Sequence, residues 1–269
     1  MTLASGSQQV GAGTAYVAWP ERADRPLPVI LVVSDIWGDG AHLRDVADRV
    51  AHAGYLAVAP DLYSGFPPSD ALTPDRVATA RGWIDGLAPA TWTDATQRAK
   101  ALAEVGAEGV ALGETLDALF EGLADLGRFE PILSDAITLG SAHGAGNHGP
   151  VGAIGFCMGG SLVGLLGSDE ARLGAAVIFY GTPPPPDRLQ GGTCPVLGLY
   201  GGEDHVITDA IPALADAMTA AHRRFEYHVY PGAPHAFFND TRSAYRVDPA
   251  RDAWVRTLDF LSTELVEVS

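Results

Sequence analysis

A chain of 269 residues that is 47% hydrophobic and 19% charged holds enough apolar material for one large core and too little charge for a disordered segment. Its 17 basic against 33 acidic residues leave a formal charge of −16, which argues against nucleic acid or anionic lipid as partners. The start MTLASGSQQVGAG has no basic stretch leading into an apolar run, and the chain contains no run of about 18 apolar residues, so a cytoplasmic protein off the membrane is expected. The two cysteines, Cys157 and Cys194, are too few for a disulfide framework.

In chain order, apolar runs alternate with helical patterns. Residues 29–34 read as a strand, 43–53 as a helix and 56–60 as a strand. The alternation returns with a strand at 151–156, a helix at 159–166, strands at 175–180 and 195–200, a helix at 209–222, a strand at 225–230 and a helix at 249–265. Strands of Val, Ile and Leu between amphipathic helices predict an α/β fold, a mostly parallel sheet flanked by helices. About 90 residues separate Pro60 from Val151, where a crossover needs only about 10–12. The spacing therefore predicts one domain over 1–269 with a helical, roof-like insertion at about 64–150. Two or three helices are expected over 73–87 and 94–126, and a mobile glycine-rich loop over 139–150. Residues 183–186 read as a rigid polyproline connector. Gly11-Ala12-Gly13 has neither a recognisable preceding strand nor a phosphate-loop lysine, so nucleotide binding has no support.

Gly155-Phe156-Cys157-Met158-Gly159 ends the strand at 151–156 and opens a helical pattern, the context of a nucleophile elbow. A sharp strand-to-helix turn excludes side chains two residues either side of the nucleophile, and the helix directs its positive end at the sulfur. The competing reading, a buried inert thiol, is weakened by two residues further along the chain. Asp204, in Gly201-Gly202-Glu203-Asp204-His205, and His235, in Pro231-Gly232-Ala233-Pro234-His235, each come directly after a strand, in the order nucleophile, acid, histidine of the α/β-hydrolase fold. In that arrangement His235 takes the thiol proton and Asp204 fixes its tautomer. Glu203 is the competing acid and His205 the competing base. The oxyanion donors expected are the backbone N–H groups of Met158 and of Ile36, in the loop Ser34-Asp35-Ile36-Trp37-Gly38.

Residues 28–265 resemble the dienelactone hydrolase, or carboxymethylenebutenolidase, family. The resemblance is carried by Asp35-Ile36-Trp37-Gly38, Ala53-Gly54-Tyr55, Ala59-Pro60-Asp61-Leu62-Tyr63, Gly155-Phe156-Cys157-Met158-Gly159-Gly160, Gly201-Gly202-Glu203-Asp204-His205, Pro231-Gly232-Ala233-Pro234-His235 and Thr257-Leu258-Asp259-Phe260-Leu261. It implies Cys157, Asp204 and His235 as triad, Ile36 and Met158 as oxyanion hole, and opening of a small-molecule ester or lactone through a thioester. Neither metal nor organic cofactor is implied, and a monomer or homodimer is expected.

Two positions depart from the family. A glutamate that contacts the resting thiol is replaced by Asp35, one methylene shorter. An arginine that binds substrate carboxylate in dienelactone-specific members, four residues beyond the histidine, is replaced by Asn239, which cannot form a bidentate clamp. The resemblance thus implies a site retuned for an acyl compound other than dienelactone. Arg76, Arg81 and Arg242 are candidate replacement cations, each also readable as a solvated surface residue. Trp37, Trp83, Trp92, Phe237 and Phe238 are candidate pocket walls, with ordinary packing the alternative. His143 and His148 lack carboxylate or thiol partners at metal-ligand spacing. Two rival functions stay open: an acyltransferase or cyclase using the same triad, and a non-catalytic binding protein on a hydrolase scaffold.

Overall fold

Val29–Val33 and Val151–Phe156 are buried at every position, the signature of strands covered on both faces. The structure, a computed structural model, describes residues 1–87, 91, 94–182, 184–190 and 194–265. Eight strands form one sheet: β1 (Leu3–Val10), β2 (Gly13–Pro20), β3 (Val29–Val33), β4 (Leu56–Pro60), β5 (Val151–Phe156), β6 (Leu173–Phe179), β7 (Val196–Gly201) and β8 (Phe225–Tyr230), in the order β1-β2-β4-β3-β5-β6-β7-β8. From β4 to β8 every neighbouring pair is parallel, whereas β1 pairs antiparallel with β2, and β2 antiparallel with β4. β5 is central, in register with β3 from Ile30 opposite Gly152 to Val33 opposite Gly155. β8 lies at one edge.

The α-helices described are α1 (Ala41–His52), α2 (Pro74–Asp85), α3 (Ala95–Val105), α4 (Ala107–Ala124), α5 (Glu130–Ala142), α6 (Met158–Asp169), α7 (His205–Thr208), α8 (Ile211–Ala220) and α9 (Val247–Glu264). The chain divides into two compact units. The first, Met1–Gly65 with Pro131–Ser269, holds the whole sheet. The second, Phe66–Glu130, holds α2, α3 and α4. Within it Arg76 ties α2 to α4 through Thr115 Oγ1 at 3.1 Å and Glu114 at 2.9 Å, and Phe66 meets Phe129 edge to face at 5.6 Å. No helix among the described residues is long and apolar enough to cross a membrane.

Two sequence readings change. Gly11-Ala12 is not preceded by coil: it is the turn of the β1–β2 hairpin, with Gly11 at φ 53°. The strand was hidden because Leu3–Val10 exposes much of its polar length and shows no apolar alternation. Residues 139–150 do not form a free loop. α5 runs through Ala142, and beyond it Ala145 and Asn147 bond to Leu27 at 2.8 and 2.9 Å. The two or three helices expected over 73–87 and 94–126 are three among the described residues, α3 and α4 being separated at Gly106, whose φ is 79°. Of the polyproline segment, Pro183 lies outside the described residues.

The core on the catalytic side of the sheet is aromatic. Phe156, the last residue of β5, stacks on Phe238 at 5.5 Å and lies 4.8 Å from Phe179 of β6, which in turn lies 4.7 Å from Phe238. Such pairs add about 0.5–1.5 kcal/mol each beyond the area they bury, so the strand ends carrying the site rest on a stiff base.

Candidate active site

Cys157 occupies the turn between β5 and α6 with φ 54° and ψ −116°, a conformation that side chains rarely adopt and that the surroundings must impose. They do so through hydrogen bonds from Cys157 N to the Phe179 carbonyl and from Ser161 N to the Cys157 carbonyl, both 3.0 Å. Two glycines make the turn possible. A Cβ on Gly155 would lie 2.1 Å from the Gly159 carbonyl oxygen, and a Cβ on Gly159 would lie 2.3 Å from the carbonyl oxygens of Val33 and Ser34. The second contact seats the start of α6 directly against the end of β3, beside the loop carrying Asp35, Ile36 and Trp37. The sulfur-bearing residue is part-exposed, whereas Cys194 is buried, its thiol pushed up to about 12 chiefly by burial.

Asp204 and His235 meet at the ends of β7 and β8. His235 Nδ1 lies 2.6 Å from Asp204 Oδ2; a carboxylate accepts only, so Nδ1 carries the proton and Nε2 is left for the thiol side. The two loops are bonded to each other, with Gly202 N donating to Tyr230 O at 2.8 Å and Glu203 N to Ala233 O at 3.0 Å. The acid is nearly enclosed, 9% exposed, and the imidazole 37%. Burial opposes charge on His235, but the electrostatic influence of Cys157, the hydrogen bonds with Asp204 and Cys157, and the Asp204 charge outweigh it and raise the imidazole to about 10. Glu203 is exposed, and His205 is an exposed side chain paired with Asp209 at 3.3 Å.

The flanking candidates fall into separate places. Met158 is buried at the first position of α6, where helical N–H groups have no intrahelical acceptor. Ile36 is buried in the adjacent loop. Asp35 Oδ1 accepts the Trp37 N–H at 2.9 Å, so one carboxylate oxygen is turned to its own loop. Asn239 is buried, and its Oδ1 accepts from Thr241 N at 3.1 Å and Thr241 Oγ at 2.7 Å; it is a turn-forming residue here. Phe237 and Phe238 are core residues supporting the site from beneath. Trp37 is 9% exposed and carries the Arg242 guanidinium at 5.8 Å from its ring centre, so Arg242 is the candidate cation that the fold brings to this loop. Arg76 is engaged within the helical unit, which also holds Arg81 and Trp83, and Trp92 lies outside the described residues. His143 sits against Trp19, and His148 bonds to the Ser141 carbonyl. Among the described residues no group of three or more His, Cys, Asp or Glu is arranged to hold a metal.

Sequence reasoning missed two neighbours. Tyr180, at φ 41° just after β6, places its ring 5.0 Å from the His235 ring. Burial, then the charges of Asp35 and Cys157, push its phenol well above the usual range against the pull of Arg242. Its position at the C-terminal end of a parallel strand was the available signal. His42, in the first turn of α1, packs edge-on to Phe156 at 5.9 Å, with Asp240 at 3.4 Å. Burial holds it below the ordinary histidine value despite Asp35 and Asp240. Nothing in its local sequence distinguishes it.

A strained strand-to-helix turn at the end of a central parallel strand, with an acid and a histidine on the loops after β7 and β8, defines the class: an α/β-hydrolase. The model of the dienelactone hydrolase family matches residues 14–265, and the chain belongs to that family. A protein of Saccharolobus solfataricus named "Putative carboxymethylenebutenolidase" is 32% identical over 92% of each chain. One of the same name from Escherichia coli K12 is 33% identical over 91% of this chain and 80% of its own. The crystal structure of a "Putative Dienelactone Hydrolase" from Klebsiella pneumoniae superposes with a TM-score of 0.70 at 29% identity, covering 97% and 99% of the two chains.

Proposed function

We propose that the protein is a cysteine-dependent hydrolase of a small carboxylic ester or lactone, working through a thioester on Cys157. The observation that carries this reading is the bond of His235 Nδ1 to Asp204 Oδ2 at 2.6 Å beside Cys157, whose backbone is held at φ 54° in a strand-to-helix turn. Transfer of the Cys157 proton to His235 Nε2 leaves a thiolate beside an imidazolium, and the thiolate adds to the carbonyl carbon. The resulting oxyanion is met by the N–H groups of Ile36 and Met158. Collapse breaks the bond to the alkoxy oxygen, which leaves with the proton from His235 and stays tethered if the substrate is a lactone. Water, deprotonated by His235, then cleaves the thioester and restores the thiol. Dienelactone is not the substrate expected, because Asn239 offers its oxygen to Thr241 and no cation to a carboxylate.

The test is alkylation by iodoacetamide, mapped by mass spectrometry to Cys157, alongside turnover of p-nitrophenyl esters. Cys157→Ala is expected to lower kcat by at least about 10³-fold. An enzyme equally active as Cys157→Ala would falsify the reading.

A further inference from the structure

The loops after β3 and β4 are built alike. Each opens with an aspartate whose Oδ1 accepts the N–H two residues on: Asp35 from Trp37 at 2.9 Å and Asp61 from Tyr63 at 3.1 Å. The second loop is anchored further by Ser64, whose hydroxyl donates to the Asp61 carbonyl at 2.7 Å and accepts the Thr14 N–H at 2.9 Å. From this footing Tyr63 reaches across, and its hydroxyl donates to the Ile36 carbonyl at 2.8 Å. Its ring also lies against Gly38, so closely that a Cβ there would stand 2.9 Å from Tyr63 Cδ2.

Both peptide planes beside Ile36 are consequently fixed. The Ile36–Trp37 plane is held at its oxygen by Tyr63 and at its N–H by Asp35. The Asp35–Ile36 plane is held at its oxygen by the Gly38 N–H, 3.2 Å away. A planar trans peptide pinned at its carbonyl has its N–H direction set as well. We infer that Tyr63 is a positioning residue for catalysis: its hydroxyl, with the Asp35 carboxylate, locks the loop that aims the Ile36 N–H at the developing oxyanion. This rests on the assignment of that N–H as an oxyanion donor. It also gives Asp35 work as a clamp on its own loop, which a longer carboxylate aimed at the sulfur could not do.

Tyr63→Phe removes one oxygen and keeps the ring beside Gly38. The expected result is a fall in kcat for p-nitrophenyl esters of roughly 10- to 100-fold, less than direct loss of a donor, with KM changed by no more than about twofold. Affinity for a trifluoromethyl ketone, whose adduct presents the same oxyanion, should fall by the same factor as kcat/KM. Alkylation of Cys157 by iodoacetamide forms no oxyanion, so its rate should stay at the wild-type value, and the melting temperature should move by no more than about 3 °C. If the variant does not fold, Tyr63→Leu, which also removes the hydroxyl, is read the same way. Wild-type kcat in the variant, or an alkylation rate that falls in step with kcat, overturns the proposal. An active Cys157→Ala enzyme is a separate result, overturning the hydrolase reading beneath it.

Discussion

Burial works against a charged imidazole, and His235 is held charged in spite of it, at about 10 against an ordinary 6.5. The first of the raising causes is the electrostatic influence of Cys157, so the histidine's titration reports on that neighbour. A folded-state value above the unfolded one means that this stabilisation is complete below about pH 6.5 and fades as pH rises through about 10. Cys157→Ala removes that influence and a hydrogen-bond partner. His235 should then titrate at lower pH in an NMR titration of the histidine ring protons, and the alkaline loss of thermal stability should shrink. An unmoved His235 midpoint would contradict the coupling of the two side chains. At this scale the positions of Cys157, Asp204 and His235 are legible because each ends a strand-like run and their order along the chain is itself a signal. Tyr63 and His42 are not legible, because nothing in their local runs points to their partners Ile36 and Phe156, whereas the strand-end position of Tyr180 is a signal for its contact with His235.

The junction of β5 and α6 makes one glycine intolerant of a substitution that another glycine should welcome. An alanine at Gly155 would put its Cβ 2.1 Å from the Gly159 carbonyl oxygen, a backbone atom that cannot move without unwinding the turn. Gly155→Ala should cost about 1–3 kcal/mol or more in urea unfolding. Gly82, inside α2, has nothing within 4 Å of the same atom, and Gly82→Ala should stabilise by about 0.5–1 kcal/mol through helix propensity. Equal effects at the two sites would refute the packing argument. Among the elements, β3, β4, β5 and β8 are legible as uninterrupted or aromatic-rich strand runs of five or six residues. β1 is not, since antiparallel pairing with β2 holds it through backbone bonds while its side chains stay polar and largely exposed. The end of α5 is misread for a related reason. Its Gly140, suggestive of a loop, is required because a Cβ there would lie 2.5 Å from Val29 Cγ1.

Across the whole molecule, the sheet order places the catalytic candidates on unequal ground. Cys157 comes after β5, flanked by strands on both sides, and Asp204 after β7, likewise flanked. His235 comes after β8, which pairs with β7 alone and is only partly buried along most of its length. The alternation of strands and helices reveals the parallel sheet but not this order, since which strand ends at an edge depends on crossovers that periodicity does not record. Edge elements with few buried contacts open in sub-global fluctuations that leave the centre intact. The histidine loop is therefore the first part of the machinery exposed to such opening. In a urea series, ester turnover should vanish at lower denaturant than the far-UV helical signal, and amide hydrogen exchange should be faster in β8 than in β5. Coincident loss of turnover and helix would argue that the sheet yields only as one piece. If the edge does yield first, the enzyme has a built-in order of failure: it loses its proton carrier while still folded, and regains activity by closing one strand rather than by refolding the chain.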